Sequence, residues 1–230
     1  MCNLLAIESS GKICSVALLA RDKLSFFRDD EENAQTAKMH TMIAELLEKT
    51  ALEFKNLDAI VLSAGPGSYT GLRIGSSAAK AMCYALNIPL IAVSSHGAMF
   101  ENYVATHSIM NGDNILCMTD ARRNEAYCTL YSHQGEVIMP TQAIILDNIN
   151  FLQPFLQQKL HCIGSGAFKM KEHENNNSFI LEQECLDARA LLNIGKKQFE
   201  KKQFENIFEF EPNYLKPFFT TAKIIEHFNI

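Results

Sequence analysis

Apolar positions in this chain fall into short strand-like runs separated by polar turns, with a few longer stretches of helical period. Leu4 to Ile7 reads as a buried strand ending at Glu8-Ser9-Ser10-Gly11. Lys12 to Ala20 predicts a second strand, Arg21-Asp22-Lys23 a turn, and Leu24 to Phe27 a third strand. Within Ala34 to Thr50, Met39, Met42, Ile43, Leu46 and Leu47 recur at i, i+3, i+4, i+7 and i+8, one face of a helix. Strand Leu57 to Leu62, helix Leu72 to Leu86, strand Leu90 to Val93 and a helix near Gly97 to Ala105 follow.

The same order returns about 110 residues further on, the kind of self-similarity that marks a duplicated unit. Ile115 to Thr119 ends at Asp120-Ala121-Arg122-Arg123, and Ala126 to Tyr131, the Gln134-Gly135 turn and Glu136 to Met139 repeat the hairpin pattern. Phe151 to Gln158 predicts a helix, Leu160 to Ile163 a strand, and a short helix begins after Gly164-Ser165-Gly166-Ala167. Asp187 is the expected N-cap of a last helix reaching Lys202. Strands joined by hairpins and then alternating with helices predict mixed sheets covered by helices. The asparagine-rich stretch Glu172 to Ser178 reads as a loop with no assigned role.

Composition changes this picture little. A chain of 230 residues, 47% hydrophobic and 20% charged, can bury a real core. Its net charge of −5 excludes a generally basic nucleic-acid binder. The cluster Lys196-Lys197 and Lys201-Lys202 is interleaved with Glu200 and Glu205, the pattern of a solvated helix face. Seven cysteines without a Cys-x-x-Cys pair, several in apolar runs such as Leu116-Cys117-Met118, predict reduced, structural thiols. With no basic segment ahead of the first apolar run and no apolar stretch near the ~18 residues of a membrane span, a cytoplasmic protein is expected.

The candidate chemistry centres on Leu62-Ser63-Ala64-Gly65-Pro66-Gly67-Ser68-Tyr69-Thr70-Gly71-Leu72-Arg73-Ile74-Gly75. A strand here opens through a glycine loop into a helix, and a helix N-terminus with free N–H groups binds anions. However, Gly65-x-Gly67-x-x-x-Gly71 has one residue too many for a dinucleotide loop, and no Gly-Lys-Ser/Thr follows. The alternative reading is that the glycines seat the helix tightly. Glu8 and Asp120 are candidate metal carboxylates, but few phosphoryl-clamping donors accompany them. His40 has Ala44 four residues on, and His96, His107, His133, His161, His173 and His227 form no pair at zinc-ligand spacing. Ser68 lacks the Gly-x-Ser-x-Gly frame of a nucleophile elbow, so Ser9, Ser10 and Ser68 read as turn residues.

That glycine run resembles the GPGSFTGxRIG signature of the bacterial TsaB (YeaZ) family of tRNA threonylcarbamoyladenosine synthesis, with Tyr69 where Phe is frequent. Asp120-Ala121-Arg122 with Glu125-Ala126-Tyr127 resembles that family's DAR-x-x-EvY stretch, and Glu211-Pro212-Asn213-Tyr214-Leu215-Lys216 resembles its P-x-YLR tail. The repeated β-β-β-α-β-α order is similar to that of the actin/Hsp70/sugar-kinase superfamily. Glu8, where many members have Asp, and Asp120 stand at its two strand-end positions, and Gly164 to Ala167 matches its adenosine-side glycine motif.

The resemblance implies an α/β, actin-like (ribonuclease H-like) duplicated fold with subdomains at 1–108 and 109–230. It implies a non-catalytic partner of the paralogue TsaD, joined by the ATPase TsaE. Their complex transfers a threonylcarbamoyl group to N6 of the adenosine beside the anticodon in ANN-reading tRNAs. The chain alone would form a homodimer and hold no cofactor, with ATP or ADP and metal in the partner proteins. The partner surface it implies lies on the first two helices, at Met39, His40, Met42, Ile43, Arg73, Ser77 and Ala81. Methionine suits an adaptable surface, and a charge introduced at Met42 is expected to break the contact and spare the fold. The same superfamily leaves open an ATP-dependent small-molecule kinase or ATPase, and the old glycoprotease grouping a peptidase.

Overall fold

β1 (Leu4–Glu8) is buried along its whole length because helices cover both faces of its sheet. Residues 2–29, 38–147, 149–173, 179–182 and 186–216 are described by the structure, a computed structural model. β2 (Cys14–Ala20) and β3 (Lys23–Asp29) extend the sheet antiparallel from β1, while β4 (Ala59–Ser63) and β5 (Leu90–Val93) extend it parallel on the other side. The order is β3-β2-β1-β4-β5. Leu5 and Ile7 point into the core made with α1 (Met39–Thr50) and α2 (Tyr69–Leu86), whereas Leu4 and Ala6 point to the opposite face. That is the two-residue period of a strand used on both sides.

The second sheet repeats the plan. β6 (Asn114–Asp120) pairs antiparallel with β7 (Glu125–Ser132), which pairs with β8 (Val137–Ile145). β9 (Leu160–Ile163) lies parallel beside β6, and β10 (Phe179–Glu182) parallel beside β9. Reading β6 as the counterpart of β1, the order β10-β9-β6-β7-β8 is the same topology. This is the duplicated, actin-like α/β fold.

The halves exchange their last helices. α3 (Ser95–Thr106) packs Met99, Phe100 and Tyr103 against Ile115, Cys117 and Ile163 of the second sheet. α4 (Ala188–Glu200) returns to the first sheet, where Leu191 and Leu192 meet Leu4, Val61 and Ile91. Asp187 caps α4 as expected, its Oδ1 accepting from Arg189 N at 2.8 Å, and Ala188 N donates to Ser15 Oγ on β2 at 3.0 Å. Ser68 and Ser94 cap α2 and α3 in the same way.

Some expectations are corrected. Residues 150–155 form a 3-10 helix rather than an α-helix to Gln158, because Pro154 lacks an N–H and crowds the preceding turn. Residues 167–173 are likewise 3-10. β8 runs through Pro140 well beyond Met139, which an edge strand tolerates. β10 was not anticipated. Residues 30–37 and 174–178 lie outside the described residues, and with them the predicted start of α1 and most of the Glu172 to Ser178 loop.

Candidate functional site

In sheets of this kind ligands bind outside the carboxyl ends of the parallel strands. Here β1 delivers Glu8-Ser9-Ser10 to that position and β4 delivers the glycine loop that opens α2. The two segments pack directly on each other. Ser68 N donates to Ser10 O at 2.6 Å, and Ser9 Oγ donates to Gly71 O at 2.9 Å. A Cβ on Gly71 would run into the Ser9 carbonyl oxygen, and one on Gly75 into Ser9 Oγ. The glycines therefore seat α2 against the turn after β1. The N–H groups of Ser68, Gly71 and Leu72 are taken by Ser10 O, Ser68 Oγ and Ser68 O.

Glu8 lies beneath this contact and is buried. Its Oε1 accepts from Ser10 N at 2.6 Å and from Ser10 Oγ at 2.5 Å. Oε2 has no hydrogen-bond partner among the described residues. The nearby Ser63 hydroxyl favours the carboxylate, but its close hydrogen bond, at 2.7 Å, is to Ser95 Oγ. Burial raises the Glu8 pKa above the ordinary carboxylate value, the hydrogen bonds from Ser10 and the nearby Ser63 hydroxyl offsetting only part of that push.

A raised folded-state pKa contributes stability that is complete below the ordinary carboxylate pKa and lost as pH rises through the raised value. Glu8→Gln keeps the shape and the acceptor for Ser10. It is expected to be more stable than the natural chain at pH 7 by about 1–3 kcal/mol, the range for an unsatisfied buried polar group. The gap should close near pH 4. Urea unfolding at both pH values checks this, and equal stabilities at pH 7 would refute it.

In the second half Asp120 ends β6 and is neutralised internally. Lys169, only 8% exposed, donates to Asp120 Oδ1 at 2.5 Å and to the carbonyls of Arg123 and Glu125 at 2.7 and 2.6 Å. Arg122 and Arg123 adopt left-handed backbone angles in the β6–β7 turn, and both side chains are exposed. Ser165 Oγ, in the glycine motif at 164–166, accepts from Asp120 N at 3.1 Å. Lys169 lies 49 residues beyond Asp120, so spacing carried no signal for it.

The buried histidines and cysteines among the described residues serve packing. His96 is buried and bridges the halves, its Nδ1 2.6 Å from Thr129 Oγ1 and its Nε2 2.9 Å from Thr119 Oγ1. Desolvation lowers its pKa to about 3. His161 joins Tyr103 OH at 2.8 Å and Asp113 Oδ2 at 3.2 Å in the core. Cys14, Cys83, Cys117, Cys128 and Cys162 are buried free thiols whose pKa values are pushed up by burial, which makes them poor nucleophiles. Among the described residues no three His, Cys, Asp or Glu side chains cluster as a metal site.

The seven residues expected on a partner surface separate. Met39, Met42 and Ile43 are 1%, 7% and 1% exposed and face β2 and β3, within the chain's own core. The apolar stripe of α1 is satisfied by its sheet, so a charge at Met42 would damage the fold rather than a contact. His40 on α1 and Arg73, Ser77 and Ala81 on α2 are exposed together with Tyr84, 69% exposed. Arg73 donates to Tyr69 OH at 3.1 Å and lies over its ring.

A further element completes the site. After α4 the chain runs back as an irregular strap. Glu205 N donates to Leu90 O at 2.9 Å, Lys80 Nζ to Phe210 O at 3.0 Å, and Asn213 N to Ala64 O at 2.8 Å. The strap forms one wall of an open crevice of about 470 Å³ at the ends of β4 and β5, lined by Gly65, Ser94, Glu205, Glu209, Glu211 and Asn213. The Glu211 to Lys216 motif marked it in the sequence, though not where it docks.

The geometry is that of an actin-like duplicated protein whose strand-end positions are occupied by its own serines, glycines and lysine. Residues 32–224 match the family model described as TsaD: tRNA N6-adenosine threonylcarbamoyltransferase. The tRNA threonylcarbamoyladenosine biosynthesis protein TsaB of Haemophilus influenzae is 27% identical over 96% of both chains. That of Bacillus subtilis is 32% identical over 62% of both. YeaZ from Pseudomonas aeruginosa superposes with a TM-score of 0.75 at 20% identity, over 94% of this chain and 100% of its own. The chain belongs to this family, on its TsaB (YeaZ) side. No helix among the described residues is long and apolar enough to cross a membrane.

Proposed function

We propose that this chain is a cytoplasmic, non-catalytic partner of TsaD in the transfer of a threonylcarbamoyl group to N6 of the adenosine beside the anticodon in ANN-reading tRNAs. One observation carries the reading. Ser9 and Ser10 pack on the glycines of α2 and Lys169 sits on Asp120, so protein groups fill the positions where a catalytic actin-like protein holds phosphate and metal. The catalytic metal and the nucleotide then belong to TsaD and TsaE, and this chain binds neither by itself. The exposed residues Arg73, Ser77 and Ala81, on one face of α2, and His40, exposed on α1, offer surface for TsaD or, in its absence, for a second copy.

An omission assay tests this. Purified TsaD and TsaE of the same organism, unmodified tRNA and threonylcarbamoyl-adenylate are incubated with and without the chain. Modified tRNA is expected only when it is present. Arg73→Glu is expected to weaken binding to TsaD by about tenfold or more, as for charge reversal at a contact centre, with the fold unchanged by circular dichroism. Equal product without the chain would overturn the proposal and favour the kinase or ATPase alternative, which requires turnover of Mg-ATP by the isolated protein.

A further inference from the structure

Phe208 and Tyr84 are the most exposed large apolar side chains among the described residues, at 77% and 69%. They also meet each other. Their rings stand edge to face with centroids 6.2 Å apart, one from the strap and one from the last turn of α2. The strap holds Phe208 outward. Ile207 and Phe210 pack on the first core, Phe208 N donates to Asn206 Oδ1 at 3.0 Å, and Phe210 N donates to Asn206 O at 2.8 Å. Lys80 Nζ on α2 ties down Phe210 O at 3.0 Å. A turn built this firmly gains nothing within the chain by presenting a phenyl ring to water.

A second ring pair stands at the other end of the same helix. Tyr214 packs on Tyr69 with centroids 5.0 Å apart, beside the buried Pro212. Tyr69 and Tyr84 are fifteen residues apart, about 22 Å along the helix axis. Between them lie the exposed Arg73, Ser77 and Ala81. Aromatic rings and an arginine around small side chains are the composition of an interface core, not of a solvated helix face.

We infer that the strap lends its rings to the exposed face of α2, and that the Tyr84–Phe208 pair anchors the surface on which TsaD docks, flanked by Tyr69–Tyr214. This rests on the reading of the chain as a TsaD partner. The occupant follows from continuity, since the two ring pairs bracket the Arg73, Ser77 and Ala81 face proposed for TsaD. Its contacting surface is apolar, with room for the exposed ring pair and an acceptor for the Arg73 guanidinium. Because the turn around Phe208 is already fixed, covering the ring costs little further ordering.

Calorimetric titration of the full chain with purified TsaD of the same organism tests this. Tyr84→Ala and Phe208→Ala should each weaken binding by about thirtyfold, as loss of a hot-spot ring does. The double variant should weaken it by much less than the product of the two, because each ring supports the other. Tyr214→Ala should weaken it by a smaller factor. Ile145→Ala, a site 60% exposed on β8, should bind as the natural chain does. Both rings are exposed, so the thermal unfolding midpoint should stay in place in the Tyr84 and Phe208 variants. Natural affinity in both would overturn the inference and leave the TsaD reading standing, whereas a natural chain that does not bind TsaD would sink both. Variants that bind TsaD normally yet lose self-association in sedimentation would assign the rings to a second copy, which also overturns it.

Discussion

Gly71→Ala should destabilise the chain by about 3 kcal/mol, the cost of overpacking a site that has no slack. Helix propensity alone argues the reverse, since alanine in place of glycine stabilises a helix interior by about 1 kcal/mol. The clash decides, because the new methyl would meet the Ser9 carbonyl oxygen, main chain that cannot rotate away. Either α2 lifts or the turn after β1 moves, and both disturb the Ser68–Ser10 and Ser9–Gly71 hydrogen bonds. Urea unfolding of Gly71→Ala beside Ser77→Ala, on the exposed face of the same helix, measures the difference. The exposed substitution should shift stability by only a few tenths of a kcal/mol. A Gly71→Ala chain as stable as the natural one would show that the glycine run is not a packing seam.

The second large effect is a pH dependence carried by His96. Its folded-state pKa is lowered to about 3 by burial, against about 6.5 in the unfolded chain. The unfolded state therefore binds a proton between these values that the folded state refuses. Stability from this group is complete above pH 6.5 and falls with pH until about pH 3. Integrated from pH 7 to pH 4, the loss is about 3 kcal/mol. Because His96 links α3 of the first half to Thr119 and Thr129 of the second, its protonation strains the seam between halves. His96→Gln does not titrate, so it should lose about 3 kcal/mol less than the natural chain over the same interval. Parallel slopes for the two proteins would rule His96 out as the source.

Much of the architecture was legible because it rests on short-range rules. Short apolar runs marked β1 and β4, the 3.6-residue stripe marked α1, Asp187 marked the start of α4, and the repeated hairpin marked the duplication. The glycine run was legible as a seam or an anion cradle, and the contact with Ser9 and Ser10 decided for the seam. Elements with weak local signals were missed or misread, notably β10 and the 3-10 segment around Pro154.

By itself, then, the sequence determined which faces are apolar, where the chain turns and that the fold is built twice. It did not determine what each face meets. The methionine stripe of α1 has the same period whether it lies on its own sheet or on another protein, and only the packed structure assigns Met39 and Met42 to the core. Likewise only the tertiary structure brings Lys169 to Asp120, hands α3 to the second sheet and α4 to the first, and lays Asn213 across Ala64. Periodicity and capping act over a few residues of chain. These pairings close loops of tens of residues or more, and they are set by which surfaces can be buried together.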